Sequence, residues 1–458
     1  MSSSESGSAQ QREHWGSRLG FVLAAAGSAI GLGNIWRFPY LVGKNGGAIF
    51  ILVYLVITIF IGLPVMLGEF AIGRAAQRSP VGAFRALNVN PFWGVIGWMG
   101  TLAGGFLVLS YYNVIGGWTI KYMVASFTGL MDSTATAEQS GAFFGTFIGE
   151  QGQVVAFQVL FVFVGMLIVW GGIGKGIERS CKVMMPLLFI IMLVLIARAV
   201  TLPGAEAGIN FYLNPDWSKL KDPALYLDAL GQSFFSLSLG LGIMITYGSY
   251  IGKDEHLPSS SLWTASLDTL IALLAGFAIF PAVFAMNFEP GAGVGLTFIT
   301  LPAVFSKMPG GAYVSFLFFL LLFFAAITSS MSLLEVATTF AMEKFSLKRS
   351  HAVWLTGIIV ILLGGYSSLS LSGPPKITFM GKSKDFLDAV DYLCNNILLP
   401  VGSLLTCVFV GWFWLDPAKK ELTNDGEVAC PWMGVWTWCV RFFAPCAIFY
   451  IFWTGIKW

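Results

Sequence analysis

Eleven stretches of this chain are each long and apolar enough to cross a bilayer, and that recurring pattern limits the fold more than any single motif. A spanning helix needs about 20 mostly apolar residues. Such segments run over 16–42, 46–73, 94–127, 154–173, 177–201, 224–251, 261–288, 312–343, 352–370, 386–415 and 432–457. Within hydrocarbon a backbone must satisfy its own polar groups, so these segments predict α-helices. The expected fold class is an all-α polytopic membrane protein. Charge agrees: 11% of the 458 residues are Asp, Glu, Lys or Arg, against about 25% in soluble domains. A formal net charge of +2 is too small for a nucleic-acid footprint. The six Cys show no C-x-x-C spacing and the three His no H-E-x-x-H pattern, so neither a disulfide framework nor a zinc site is signalled. His14, His256 and His351 lie outside the long apolar runs and are expected to be solvated.

Lys and Arg set the orientation. Arg12 and Arg18 precede helix 1, Arg74, Arg78 and Arg85 follow helix 2, Lys175, Arg179 and Lys182 lie between helices 4 and 5, and Lys344, Lys348 and Arg349 between helices 8 and 9. The 3–4 connection from Met123 to Ile173 carries none. The alternation places the N terminus in the cytoplasm and Trp458 outside. Lys376, Lys382 and Lys384 depart from it in a late outer loop. The polar, Ser-rich residues 1–11 are expected to be a cytoplasmic tail and not a signal peptide.

Two spans are interrupted. Helix 1 reads AAAGSAIGLGNIWRFPY from Ala24, and helix 6 reads QSFFSLSLGLGIMITYGSY from Gln232. Each puts small and polar residues at mid-depth. Gly in a membrane helix more often permits close packing, but two breaks five helices apart, each with Asn or Ser neighbours, favour a binding site. Freed backbone at that depth is tolerated where it lines a cavity or is buried in protein, and paired broken helices mark the site of transporters built from inverted repeats.

Ionisable groups inside the membrane cost roughly 2.5–3.5 kcal/mol at a helix centre on insertion scales, so those present are informative. Asp268 lies well inside helix 7, Glu69 near the inner end of helix 2, and Glu335 and Glu343 in the inner half of helix 8. Asn34, Ser236 and Asp268 offer side-chain oxygens from three helices. By analogy with other hard cations, sodium would take such ligands. Thr328 and Ser329, beside Ala325, form a second oxygen cluster.

At this point the string REHWGSRLGFVLAAAGSAIGLGNIWRFPY (12–40) resembles the start of the neurotransmitter:sodium symporter family. NGGAIF (45–50), Tyr111-Tyr112, GKGIER (174–179), the helix 6 segment and FFAAITSS (323–330) extend the likeness over the whole chain. The resemblance implies a short bacterial member with eleven helices in place of twelve. It also implies a 5+5 inverted repeat, an architecture already known for that family. The first repeat would be 12–201, the second 224–415, and 432–458 an accessory helix 11.

By position, the resemblance assigns one sodium site to Ala29, Asn34, Ser236 and Asp268, and a second to Gly27, Ile30, Ala325, Thr328 and Ser329. No organic cofactor is implied. The substrate carboxylate would meet Gly33, Tyr112 and the first sodium, and the amino group carbonyls near Ser28, Ala29, Phe235, Ser236 and Ser238. The side chain would lie among Val108, Tyr112, Phe235, Leu241, Ser329 and Leu333. Amine transporters of the family carry Asp where Gly31 stands, so Gly31 points to substrates that bring their own carboxylate. Ala272 stands where chloride-dependent members carry Ser, and Asp268 supplies a fixed negative charge, so chloride is expected to be dispensable. An outer gate would join Arg37 and Asp391 over Phe235. An inner gate would pair Arg12 with Glu343 and use Trp15, Ser249 and Tyr250 as a plug. The implied function is sodium-coupled import of a neutral, hydrophobic or aromatic amino acid across a bacterial inner membrane. The alternatives are an amino-acid sensor on a transporter fold, or a symporter for another small zwitterion. An enzyme is not expected: GGIGKG (171–176) lacks the Ser or Thr of a phosphate loop.

Overall fold

The computed structural model describes residues 12–87, 90–288, 295–373, 377–379 and 382–455. The 1–11 tail, Lys376 and Trp458 lie outside the described residues. Nine unbroken helices of spanning length are present among the described residues. They are helix 2 (Ala48–Ala76), helix 3 (Pro91–Ala125), helix 4 (Gln151–Trp170), helix 5 (Ile173–Val200), helix 7 (Leu257–Ala285), helix 8 (Gly311–Phe345), helix 9 (Arg349–Ser370), helix 10 (Phe386–Phe413) and helix 11 (Met433–Thr454). Helix 1 is a bent pair, Arg18–Ala29 and Gly33–Lys44, turning by 53°. Helix 6 is a second pair, Pro223–Ser236 and Ile243–Gly248. Among the described residues nine helices, or ten with the bent pair, are long and apolar enough to cross a membrane, and the two short pieces of helix 6 fall on the remaining hydropathy segment, 224–251.

Local chemistry sets the ends. Ser17 caps helix 1 by accepting from the Gly20 N–H at 3.1 Å. Asp222 caps helix 6 through the Ala224 N–H at 2.9 Å, with Pro223 in the first turn where no donor is needed. His256 is not simply solvated: it caps helix 7 by accepting from the Ser259 N–H at 3.0 Å. The helix 6 break is a run of left-handed backbone at Ser238 (φ +56°), Gly240 (+71°) and Gly242 (+73°). Glycine tolerates that geometry readily, whereas Ser238 is strained there.

Among the nine unbroken spans helix 8 is the most enclosed, with 78% of its core window buried, and helix 11 the least, with 33%. The outer surface carries Leu52, Val56, Ile59, Phe60, Ile190, Leu193, Leu362 and Phe449, all more than a third exposed. An apolar surface of that extent requires lipid. The connections between spans hold further short helices that hydropathy does not reveal: Ala137–Gly149, Ala205–Leu213, Leu296–Ser306 and Leu415–Leu422. Ile377–Phe379 and Lys382–Lys384 form a two-stranded antiparallel pair before helix 10.

Candidate binding site at the two helix breaks

The breaks of helices 1 and 6 meet helices 3, 7 and 8 at the centre of the molecule. Residues 30–32 separate the two halves of helix 1, and 237–242 those of helix 6. Their freed backbone groups are partly taken by side chains from neighbouring helices. The Gly240 N–H donates to Glu69 Oε1 at 2.9 Å, which ties helix 2 to the helix 6 break. Gln232 Nε2 donates to the Gly33 carbonyl at 3.1 Å, and the Leu32 N–H donates to the Tyr112 hydroxyl at 3.2 Å. The Ser28 carbonyl accepts from Ser238 Oγ at 3.1 Å and from Ser329 Oγ at 2.9 Å, joining helices 1, 6 and 8.

A cavity of about 20 Å³ lies between the breaks, room for about one water. It is lined by ten of the expected substrate residues: Ser28, Ala29, Gly33, Val108, Tyr112, Phe235, Ser238, Leu241, Ser329 and Leu333. The eleventh, Ser236, turns away toward Asp268. Gly31, Asn34 and Ile243 complete the wall; Ile243 carries no chemical signal in the sequence. A Cβ on Gly31 would sit 2.8 Å from both the Tyr112 hydroxyl and Ser329 Oγ. A side chain at that position would project into the cavity between those two groups.

Beside this cavity Asp268 is fully buried. Asn34 Nδ2 donates to its Oδ1 at 2.7 Å and to its backbone carbonyl at 3.1 Å. The Ser236 hydroxyl lies 2.9 and 2.8 Å from its two oxygens. Tyr54 reaches Oδ2 at 3.5 Å; nothing in the local sequence distinguishes Tyr54 from a packing aromatic. Among the described residues no Lys or Arg forms an ion pair with Asp268. Asn34 Oδ1 accepts from the Gly31 N–H at 3.2 Å. The second oxygen cluster is turned onto helix 8 itself. Thr328 Oγ1 donates to the Phe324 carbonyl at 2.8 Å and the Ala325 carbonyl at 3.1 Å, and Ser329 Oγ also reaches the Ala325 carbonyl at 3.2 Å. Gly27 packs against Thr328 so closely that a Cβ added to the glycine would lie 3.4 Å from the Thr328 Cβ. This set holds hydroxyl and carbonyl oxygens suited to a hard cation. Among the described residues no cluster of three His, Cys, Asp or Glu could hold a metal ion.

On the side where helix 6 begins, the Arg37 guanidinium stands over the Phe235 ring, 5.4 Å from its centroid. Asp391 accepts from Asn395 Nδ2 at 2.6 Å, and Tyr111 lies within electrostatic reach of both Asp391 and Arg37. On the other side, Arg12 donates to Ser249 Oγ and stacks on Tyr250 at 4.7 Å. Trp15 Nε1 donates to the Tyr247 carbonyl at 3.1 Å, and its ring meets those of Tyr247 and Tyr250. The expected Arg12–Glu343 pair is replaced. Glu343, on the last turn of helix 8, faces the 2–3 connection, accepts the Ser79 N–H at 2.8 Å and pairs with Arg78 at 3.5 Å. The central carboxylate of this face is instead Glu335, fully buried. It accepts from Tyr250 at 2.5 Å and from Arg349 at 2.7 and 3.0 Å. Arg349 also pairs with Glu13 at 2.9 Å, and Glu13 accepts the Ile173 N–H of the glycine-rich turn at 2.6 Å. Glu178 of GKGIER accepts from the Gly16 N–H at 2.7 Å and Ser17 at 2.9 Å, gripping the start of helix 1.

Two broken helices facing one another at mid-depth, with a buried carboxylate and a small cavity between them, define a secondary transporter. Known proteins agree. The Sodium:neurotransmitter symporter family matches residues 12–142 and 139–458. The sodium-dependent transporter YhdH of Bacillus subtilis is 39% identical, over 97% of this chain and 98% of its own. A sodium-dependent transporter of Haemophilus influenzae is 40% identical, over 97% and 98%. The crystal structure of MhsT in complex with L-phenylalanine superposes with a TM-score of 0.89, at 45% identity, covering 97% of this chain and all of MhsT. The chain belongs to the sodium:neurotransmitter symporter family.

Proposed function

We propose that the chain imports a neutral amino acid with a hydrophobic or aromatic side chain, coupled to sodium, by alternating access and without a chloride requirement. The observation that carries this reading is Asp268: a buried carboxylate with hydrogen-bond donors from helices 1, 2 and 6 and no protein cation beside it among the described residues. A lone charge at that depth is costly and calls for a compensating cation, and sodium held with Asn34, Ser236 and the Ala29 carbonyl would provide one. Asp268 would also replace chloride as the fixed negative charge. A second sodium would draw on Gly27, Ile30, Ala325, Thr328 and Ser329, whose hydroxyls would turn from their helix carbonyls to the ion.

The substrate follows from Gly31. With no side chain there, the space between Tyr112 and Ser329 is left for a carboxylate that the ligand brings, and Val108, Leu241 and Leu333 give its side chain an apolar wall. MhsT, with its bound L-phenylalanine, supports the same class. Because the cavity is contracted, admitting such a ligand requires Phe235 and the helix 6 break to move outward. Helices 1, 2, 6 and 7 would rock against 3, 4, 8 and 9 in a bacterial inner membrane, with the N terminus in the cytoplasm. Two sodium charges crossing 100 mV supply roughly 4.6 kcal/mol, enough for about three decades of accumulation.

The test is binding of each of the twenty amino acids to the purified protein, with sodium or choline and with chloride or gluconate. Sodium-dependent binding of Phe, Leu, Tyr or Trp, unchanged in gluconate, is expected. Binding that ignores sodium, or that collapses without chloride, would overturn the reading.

A further inference from the structure

Away from the central site, a trough of about 750 Å³ runs down the lipid-facing surface between helix 2, the start of helix 6 and helix 11. Its volume lies in the range of ligand sites, roughly 300–1,000 Å³. Along helix 2 the lining extends from Ile49 to Ile61, about 18 Å at 1.5 Å per residue. Phe443 lines the deep end, its ring 6.4 Å from that of Phe60 on helix 2. The walls along this length are apolar, and Leu52 and Val56 are about half exposed.

Polarity is confined to one end. The turn Trp217–Lys221 lies across the mouth, with Trp217 61% exposed, and Tyr226 and Thr454 stand beside it. Trp and Tyr at such a level mark the membrane–water interface. Lys221 is exposed and forms no ion pair among the described residues. The neighbouring carboxylates are committed elsewhere: Asp222 caps helix 6, and Asp216 accepts from the N–H and hydroxyl of Ser218. An apolar channel reaching toward the membrane centre, open to the bilayer and headed by the Lys221 ammonium at interfacial depth, has the polarity profile of a single amphiphile with an anionic head.

We propose that this trough is a binding site for an anionic phospholipid, one acyl chain lying along helices 2 and 11 and the phosphate meeting Lys221. Two of its walls, helix 2 and the start of helix 6, belong to elements that carry the central site, so an occupant would contact them directly.

The full chain would be reconstituted in vesicles of phosphatidylcholine with about one-fifth phosphatidylglycerol. Lipid retained after mild extraction would then be counted by native mass spectrometry. Wild-type protein should retain about one phosphatidylglycerol in preference to phosphatidylcholine. Lys221→Gln should lower that preference about fivefold, the effect of one interfacial charge, while still retaining lipid. Val56→Trp, at a lipid-exposed position, should fill the trough and lose both lipids, with thermal stability as the folding check. Equal retention of the two lipids by wild type, a preference unchanged in Lys221→Gln, or unchanged retention in Val56→Trp would overturn the proposal. So would a dimer that Val56→Trp dissociates with lipid counts unaltered, since the trough would then be a contact between copies.

Discussion

The two ends of the central pathway are closed by different means. On the face read as cytoplasmic, Glu335 is fully buried under Tyr250 and a two-pronged contact from Arg349, and Arg349 continues to Glu13 and the 4–5 turn. Trp15, Arg12 and Ser249 pack the remainder. The segment before helix 1, the start of helix 5, the residues just after helix 6, and helices 8 and 9 all contribute. On the opposite face the Arg37 guanidinium stands over the Phe235 ring, and Asp391 is held by Asn395 of its own helix with Tyr111 of helix 3 within electrostatic reach. A connected, buried ionic network breaks at high cost when one partner is lost, whereas a cation–ring contact is worth about 0.5–2 kcal/mol. The difference teaches that the Arg37–Phe235 contact yields more readily than the Glu335–Arg349 network, which holds until several contacts fail together. A carrier that must load before it releases needs that asymmetry.

Two native cysteines bracket the comparison. Buried Cys181 lies beside the inner half of helix 1, its Sγ 3.4 Å from a Cβ placed on Gly27, and buried Cys394 lies near Asp391. The largest effect is expected from Glu335→Ala, which strands Arg349 without its main partner. Breaking such a pair costs about 3–5 kcal/mol, so maleimide labelling of Cys181, mapped by mass spectrometry, should accelerate roughly 10²–10³-fold. Glu335→Gln keeps an acceptor for Tyr250 and should accelerate it less. Labelling of Cys181 unchanged in both variants would remove the network from inner closure. A smaller effect is expected on the other side: Arg37→Ala should raise Cys394 labelling about two- to thirtyfold and leave Cys181 unaffected. A larger rise at Cys394 than Glu335→Ala gives at Cys181 would invert the comparison.

What the sequence discloses about these regions follows from how the information is stored. The breaks are local: Gly and Ser clusters at mid-span and polar residues at costly depth can be read in a window of twenty residues. The cavity wall comes with them, because family positions at the breaks carry over one for one. The inner network is not legible. Glu13, Glu335 and Arg349 lie far apart along the chain, and from sequence Arg349 is only a marker of topology. Arg12 and Glu343 match as opposite charges on one face, but charge alone does not choose among partners; the Ser79 N–H and Arg78 lie closer to Glu343. Tyr54 stays hidden because its hydroxyl gains meaning only when helix 7 brings Asp268 to it. The short helices Ala137–Gly149 and Ala205–Leu213 escape because they lie in connections too polar or too short to read as spans.

The central claim is that Asp268 and the two breaks form one cation-dependent binding site. Sodium titration of phenylalanine binding to purified protein, wild type against Asp268→Asn, tests it most directly. Wild type should bind only with sodium, and the substitution should raise the half-saturating sodium concentration about tenfold or more, one decade for each 1.4 kcal/mol lost. Superimposable sodium curves, or full binding by either protein in choline, would contradict that claim.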